Sequence, residues 1–376
     1  MGKRRKVIII GPAWPLRGGG ISTFNERLAK AYHDKGDEVT IFTFSLQYPS
    51  FLFPGTTQYS NEPAPEGLDI KVRINSVNPL NWRKVGHEIA TLKPDLVVVR
   101  FWIPFMGPSL GTISGILRKK GIKVIAIVDN IIPHEPKPFD KLLSGYFVKR
   151  VSGFVTMSDA VLNDLKQFDT VKPKLLAAHP LYDNFGEKIS REEALKSLSL
   201  EEKYRYILFF GFIREYKGLD LLLKAFASEK LRQFPLKLLV AGEFYVDKKP
   251  YMELIEGLGI ENDVILHDQF IPNTEVRNYF CAASLVVQPY KDATQSGITQ
   301  VAYHFEKPII TTNVGGLAEI VTDGRDGFVT EPDPGQITEA IYKYFKEEKE
   351  VEFTANVKED KKRFSWNKLL ETIDKI

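Results

Sequence analysis

The chain states one pattern twice, about 200 residues apart, and this repetition limits what it can fold into. Near the start, the apolar run Val7-Ile8-Ile9-Ile10 ends at Gly11, passes through Gly18-Gly19-Gly20 and enters a helix-like stretch from Ser22 to Lys35. A second strand-like run, Val39 to Phe44, follows. In the second half, Ile207-Leu208-Phe209-Phe210 ends at Gly211, passes through Arg214, Lys217 and Gly218, and enters a helix-like stretch from Leu219 to Leu231. The run Leu236 to Val240 then follows. Strand, glycine turn, helix, strand is the opening βαβ unit of a doubly wound nucleotide-binding sheet. Two such openings predict two facing Rossmann-like α/β domains with an inter-domain cleft.

At about 150 residues per domain, a length of 376 accommodates two. Lys3-Arg4-Arg5-Lys6 before Val7 to Ile10 looks briefly like a signal peptide, but the apolar run is too short and breaks at Gly11-Pro12. Phe101 to Leu117 is interrupted by Pro104, Gly107, Pro108 and Gly111, which argues against a spanning helix of about 20 residues. A single cysteine, Cys281, excludes an intramolecular disulfide and any cysteine metal cluster. A cytoplasmic protein without a transmembrane segment is expected.

Charge is unevenly spread. Residues 1–185 carry 25 Lys and Arg against 16 Asp and Glu, whereas residues 186–376 carry 26 against 32. A basic half joined to an acidic one predicts that the first domain meets something anionic, or simply displays solvated lysines.

Periodicity places strands of the first domain at 6–10, 39–44, 69–74, 95–99, 122–128, 153–156 and 174–178, with helices at 22–35, 81–92, 108–120, 139–150 and 158–168. The polar, charged stretch 183–203 reads as a linker. The expected domains are 1–185 and 186–363, with an amphipathic helix over 364–376 packing back across them through Trp366, Leu369, Leu370 and Ile373. The second domain has expected strands at 206–210, 236–241, 264–267, 285–288, 308–312 and 327–330. Its expected helices are 217–231, 249–257, 274–282, 296–305, 316–321 and 335–347.

Two places carry chemistry. Ser296, a favoured N-cap, precedes Gly297 and a helix patterned by Ile298, Val301, Ala302 and Phe305, directly after the strand 285–288. Amides at such a helix tip form an anion site. Arg214 and Lys217 occupy the equivalent loop after strand 206–210, where two cations beside a helix start can clamp a diphosphate.

Gly211-Phe212-Ile213-Arg214-Glu215-Tyr216-Lys217-Gly218-Leu219-Asp220-Leu221-Leu222 resembles the core signature of family 4 retaining glycosyltransferases of the GT-B fold. So do Pro308 to Thr312, Gly315-Gly316-Leu317-Ala318-Glu319-Ile320-Val321 and Asp326-Gly327-Phe328-Val329, and Gly18-Gly19-Gly20 resembles their glycine loop. The resemblance runs from Gly11 to Trp366 and matches a bacterial polysaccharide or glycolipid type. It implies that Arg214 and Lys217 bind the donor diphosphate and that amides at Ser296, Gly297 and Ile298 hold the distal phosphate and sugar. Gly211, Gly242 and Glu243 would lie near the nucleoside, and Gly19 and Gly20 would let the backbone approach donor phosphate or acceptor. The sequence departs from the family in two ways. Phe212 stands where an arginine is usual, and the paired glutamates are missing, so contacts to sugar and ribose fall to Asp292, Gln295 or Gln300. The family often places a histidine after the strand 122–128; here Asp129 and Asn130 hold that place and His134 follows. Asp129 and Glu135 would orient His134 or meet the acceptor hydroxyl beside Asn130. Ser158 reads equally as a substrate contact or an N-cap.

The implied reaction moves a sugar from a UDP- or GDP-linked donor to a glycan or lipid-linked acceptor, in cell-surface polysaccharide synthesis. No metal and no other cofactor is implied, since no histidine pair has ligand spacing and no Asp-x-Asp triplet occurs. The expected partners are the nucleotide sugar, the acceptor and an anionic inner membrane face, not nucleic acid. A dinucleotide oxidoreductase would need Gly-x-Gly-x-x-Gly after the first strand, where this chain has Gly11-Pro12-Ala13. A nucleotide-sugar epimerase and a non-catalytic sugar-nucleotide or glycan binder remain as rivals.

Overall fold

The computed structural model describes residues 4–17, 19–50, 57–133, 137–293 and 296–376. The chain divides into two units, Met1–Pro180 together with Phe364–Ile376, and Leu181–Arg363.

In chain order, the first unit contains β1 (Lys6–Ile10), α1 (Gly20–Asp34), β2 (Glu38–Leu46), β3 (Asp69–Asn75), α2 (Pro79–Thr91) and β4 (Leu96–Phe101). It continues through α3 (Gly107–Lys119), β5 (Val124–Val128), α4 (Asp140–Val148), β6 (Gly153–Thr156), α5 (Asp159–Lys166) and β7 (Lys174–Leu176). The seven strands form one sheet in the order β3-β2-β1-β4-β5-β6-β7, every pair parallel. β4 and β5 are buried along their whole length and apolar except at Arg100, as expected when helices cover both faces of a parallel sheet.

The second unit contains α6 (Arg191–Ser197), β8 (Arg205–Phe210), α7 (Leu219–Phe226), β9 (Leu236–Ala241), α8 (Lys249–Leu258), β10 (Val264–His267) and α9 (Val276–Ala282). Then come β11 (Leu285–Gln288), α10 (Gly297–His304), β12 (Ile309–Thr312), β13 (Gly327–Thr330), α11 (Pro334–Lys346) and α12 (Glu350–Asp360). Its six strands are ordered β10-β9-β8-β11-β12-β13, again all parallel. The last helix, α13 (Trp366–Asp374), belongs to the first unit and packs against α1.

The sequence reading placed no element over α12, and three further segments differ from it. The stretch read as a linker holds α6, whose start is fixed by a capping box in which the Ser190 hydroxyl accepts from the Glu193 amide and the Glu193 carboxylate from the Ser190 amide. The single helix expected over 217–231 is divided. Gly218, in the left-handed region at φ 67°, separates a short 3-10 turn from α7, and Ser228 at ψ 132° leaves the helical region before a second 3-10 turn. Residues 316–321 form successive turns, not a helix, because a six-residue segment behind Gly315 at φ 51° is too short to offset helix nucleation.

Candidate active site

In each sheet the strand order reverses once, between β1 and β4 and between β8 and β11. In open α/β sheets, helices leaving neighbouring strands at such a reversal diverge, and ligands bind at the strands' carboxyl ends. Apart from Gly242 and Glu243, which follow β9, the residues singled out in the second half follow β8 and β11, the two strands that flank this switch point.

The loops after β8 and β11 are joined by backbone. The Lys291 amide donates to the Tyr216 carbonyl at 2.7 Å. Gly218 lies so close to the Pro289 carbonyl that an added Cβ would stand 1.9 Å from its oxygen. This approach fixes Lys217, the residue before Gly218. A Cβ built at Gly211 would lie 3.0 Å from Lys217 Nζ and 3.5 Å from Ile298 Cδ1, so the ammonium and the first turn of α10 meet over the same bare glycine. Desolvation, and secondarily the charge of Arg214, push the Lys217 ammonium down to about 7. Part of the Lys217 side chain stays open to solvent, which leaves an approach for an anion.

Arg214 is held differently. Its guanidinium lies over the Tyr245 ring, 4.9 Å from the centroid. Tyr245 is stacked on Phe212 at 4.4 Å, and Phe212 on Phe270 at 6.3 Å. The residue that replaces the usual arginine therefore builds an aromatic platform whose far ring carries the arginine two positions on.

The start of α10 is fixed from the strand beneath it. Gln288, which ends β11, donates to Ser296 Oγ at 2.9 Å and accepts from the Thr299 hydroxyl at 2.8 Å. Ser296 Oγ in turn accepts from the Ile298 amide at 3.2 Å, the N-cap geometry. The Ile298 amide, expected to meet the distal phosphate, thus has an intramolecular acceptor, and Ser296 is a cap. Gly297 stands directly above Tyr182; a Cβ there would come 2.7 Å from Tyr182 Cε2. Gln300 is fully buried one turn further, and neither amide atom meets a hydrogen-bond partner. Asp292 is exposed on the β11 loop, where its charge acts on the Tyr216 hydroxyl. Gly242 and Glu243 follow β9, with the Glu243 carbonyl accepting from the Ile213 amide at 2.9 Å. A Cβ on Gly242 would stand 2.2 Å from the Gly211 carbonyl oxygen, so only glycine fits at position 242 where these two strand ends meet. Gln295 lies outside the described residues.

In the first unit, Gly19 and Gly20 open α1, and the Gly19 amide donates to the Thr23 hydroxyl at 3.3 Å. Asp129 follows β5, but its carboxylate is the bidentate partner of Arg100, whose Nε reaches Oδ2 at 2.6 Å. The pair is buried, and Arg100 is stacked over Phe24 at 3.8 Å from the ring centroid. Asp129 is thereby placed as a positioning partner of a buried cation. Nearby His179 stacks edge-on against Phe24, and burial lowers its imidazole to about 3, so it is neutral at physiological pH. Asn130 is half-buried with its Oδ1 unbonded. His134 and Glu135 lie outside the described residues, as does Gly18. Ser158 is the N-cap of α5, accepting from the Val161 amide.

Gln288, Tyr182, Tyr245 and Arg100 escaped the sequence reading. The one local signal was a glutamine ending the otherwise apolar strand Leu285-Val286-Val287-Gln288. Among the described residues no cluster of three His, Cys, Asp or Glu is arranged to hold a metal ion, and no helix is long and apolar enough to cross a membrane.

Comparison with known proteins gives two family matches, one in each half. Residues 18–178 match Glycosyltransferase Family 4, and residues 190–363 match Glycosyl transferases group 1. An uncharacterized glycosyltransferase of Methanocaldococcus jannaschii is 31% identical over 47% of this chain and 48% of its own length. The D-inositol 3-phosphate glycosyltransferase of Thermobifida fusca is 24% identical over 88% of this chain and 81% of its own. Among solved structures, Anabaena HepE in complex with UDP superposes with a TM-score of 0.73 at 14% identity, covering 99% of this chain and 100% of that one. With a doubly wound sheet in each unit and a glycosyltransferase family matched on each, the chain belongs to the family 4 glycosyltransferases of the GT-B fold.

Proposed function

We propose that the chain is a retaining, metal-independent glycosyltransferase that moves a sugar from a UDP- or GDP-linked donor to a glycan or lipid-linked acceptor, in cell-surface polysaccharide synthesis at the inner membrane face. The observation that carries this reading is the convergence of Lys217, Arg214 and the α10 tip at the switch point of the second unit. The complexes of Anabaena HepE with UDP and UDP-glucose support a nucleotide-sugar donor.

In this reaction the bond between the anomeric carbon and the β-phosphate oxygen breaks first, through an oxocarbenium-like transition state. The acceptor oxygen bonds to the same face of that carbon, and its proton passes to the departing phosphate oxygen. The negative charge that develops on the diphosphate is met by Arg214, Lys217 and the helix dipole, so electrostatic stabilisation of the leaving group supplies most of the rate. Cations fixed in place do the work that a divalent metal would otherwise do.

A thermal-shift screen against UDP, GDP and ADP, followed by their sugars, identifies the donor, and NMR of the product reads the anomeric configuration. Arg214→Ala and Lys217→Ala are each expected to lower turnover about 100-fold or more without unfolding the protein. Wild-type turnover in the double variant would remove the assignment. Conversion of the donor with no acceptor present would favour the epimerase.

A further inference from the structure

The α2, α3 and α4 helices pack side by side on the sheet of the first unit, α2 on α3 and α3 on α4. Between them lies a cavity of about 270 Å³ walled by Trp82, Arg83, Gly115, Lys119, Tyr146 and Arg150, among others. Gly115 and Lys119 share one face of α3, four residues apart. The bare Gly115 makes the hollow: a Cβ there would come 3.1 Å from both Cδ and Nη1 of Arg150, which lies across it and over the Tyr146 ring at 4.2 Å.

Among the described residues, no carboxylate lines this cavity. Arg118 donates to the Lys149 carbonyl at 3.0 Å, and Arg73 pairs with Glu88 at 3.3 Å. Arg83, Lys119 and Arg150 make no ion pair with any described residue. Three unneutralised cations around one hollow repel one another and create a focused positive potential, which an anion would relieve.

The rim is apolar. Leu80 is 76% exposed and Leu142 is 69% exposed. Leu80 precedes Arg83 by three residues on α2, and Leu142 precedes Tyr146 by four on α4, so each stands on the same helical face as a residue of the cavity wall. Phe139, also largely exposed, lies one turn before Leu142. Cations flanked by outward-facing apolar side chains form the pattern of an interfacial surface, in which charge meets headgroups and apolar tips enter the acyl boundary. A soluble phosphate would leave those side chains without a role.

We propose that this three-helix groove is a docking site for the phosphate headgroups of an anionic bilayer, with Leu80 and Leu142 as its hydrophobic anchors. The proposal deepens the reading of a peripheral enzyme with a lipid-linked acceptor and rests on it. Flotation of the full chain with vesicles tests it, since no donor or acceptor enters the assay and a failure there is separable from a failure of transfer. Vesicles rich in phosphatidylglycerol are expected to bind the protein at least tenfold better than pure phosphatidylcholine. Each basic side chain beside an anionic leaflet raises partitioning by about fivefold, so Arg83→Ala/Lys119→Ala/Arg150→Ala should lose on the order of 100-fold. The Leu80→Ser/Leu142→Ser variant should lose the binding that persists at high salt, where charge is screened. Four of the five positions are exposed and Arg150 is half-buried, and unchanged circular dichroism verifies that the variants fold. Equal binding to neutral and anionic vesicles overturns the proposal, as does a triple variant that floats like wild type. Saturable binding of glycerol 3-phosphate by a protein that ignores vesicles would assign the groove to a soluble phosphate and likewise overturn it.

Discussion

An ammonium where Lys217 sits destabilises the empty protein, and in the proposed donor complex a diphosphate would offset that cost. Burial, with Arg214 beside it, lowers its proton affinity to about 7 from an ordinary 10.5. Below pH 7 the folded and unfolded chains both hold the proton, and the folded state bears the full cost of enclosing the charge. Between pH 7 and 10.5 only the unfolded chain holds it, so stability rises with pH across that window, and above it the contribution is gone. Lys217→Met should therefore raise the melting temperature most at pH 6 and hardly at all near pH 10. A gain on the order of 2 kcal/mol at pH 6 is expected, less than the full shift would give because part of the side chain meets solvent. The same variant should lose the stabilisation that UDP confers on wild type. Thermal denaturation at pH 6, 8 and 10 with and without UDP tests both; a variant less stable than wild type at pH 6 would mean that Lys217 supports the fold instead. The place of Arg214 and Lys217 on one strand-to-helix loop was legible because they are cations next to glycines there. The burial of Asp129 against Arg100 was not, since nothing in the sequence near Asp129 shows that residue 100 stands on the adjacent strand.

At the scale of elements, strands were read well because the central strands are largely apolar runs, and a parallel sheet buried on both faces leaves that mark. Helices were read less well where one glycine decides. Apolar periodicity runs through Gly218, but its left-handed conformation ends one turn and starts α7, and its closeness to Pro289 binds the β8 and β11 loops together. Gly218→Ala would add a Cβ 1.9 Å from a carbonyl oxygen at a φ of 67°, so the loops must part. The variant should lose about 2–4 kcal/mol, the sum of left-handed strain and overpacking, and donor binding with it. Gly257→Ala, in α8 where an added Cβ meets nothing within 4 Å, should act oppositely and stabilise by about 0.5–1 kcal/mol. Equal effects of the two substitutions on urea midpoints would show that the close approach of Gly218 is not what holds the loops. The α6 helix had a visible start signal, Ser190 with Glu193 three residues on, which its charged surroundings obscured.

At the scale of the whole molecule, the charge asymmetry could be counted along the chain, but its use could not. Arg83, Lys119 and Arg150 meet only because three crossover helices lie side by side. The course of the chain has a further consequence. Having built the second unit, it contributes α13 to the first, burying Trp366, Leu369, Leu370 and Ile373. Trp366 packs 4.9 Å from Phe24 and under the guanidinium of Arg27, while Asp374 pairs with Arg5 at 2.7 Å and Lys35 at 3.3 Å. The exposed ion pairs contribute little. Four buried apolar side chains, at about 1.5–3 kcal/mol each, contribute roughly 6–12 kcal/mol. That equals the net stability of a typical domain, about 5–15 kcal/mol. A chain ending at residue 363 is therefore expected to keep a cooperative melting transition from the second unit and to lose that of the first. A peptide spanning 364–376 added in trans should restore it in proportion to its concentration. Calorimetry of the truncated chain decides the matter: two transitions at their full-length temperatures would show that the first sheet holds itself together without the helix that the far end of the chain returns to it.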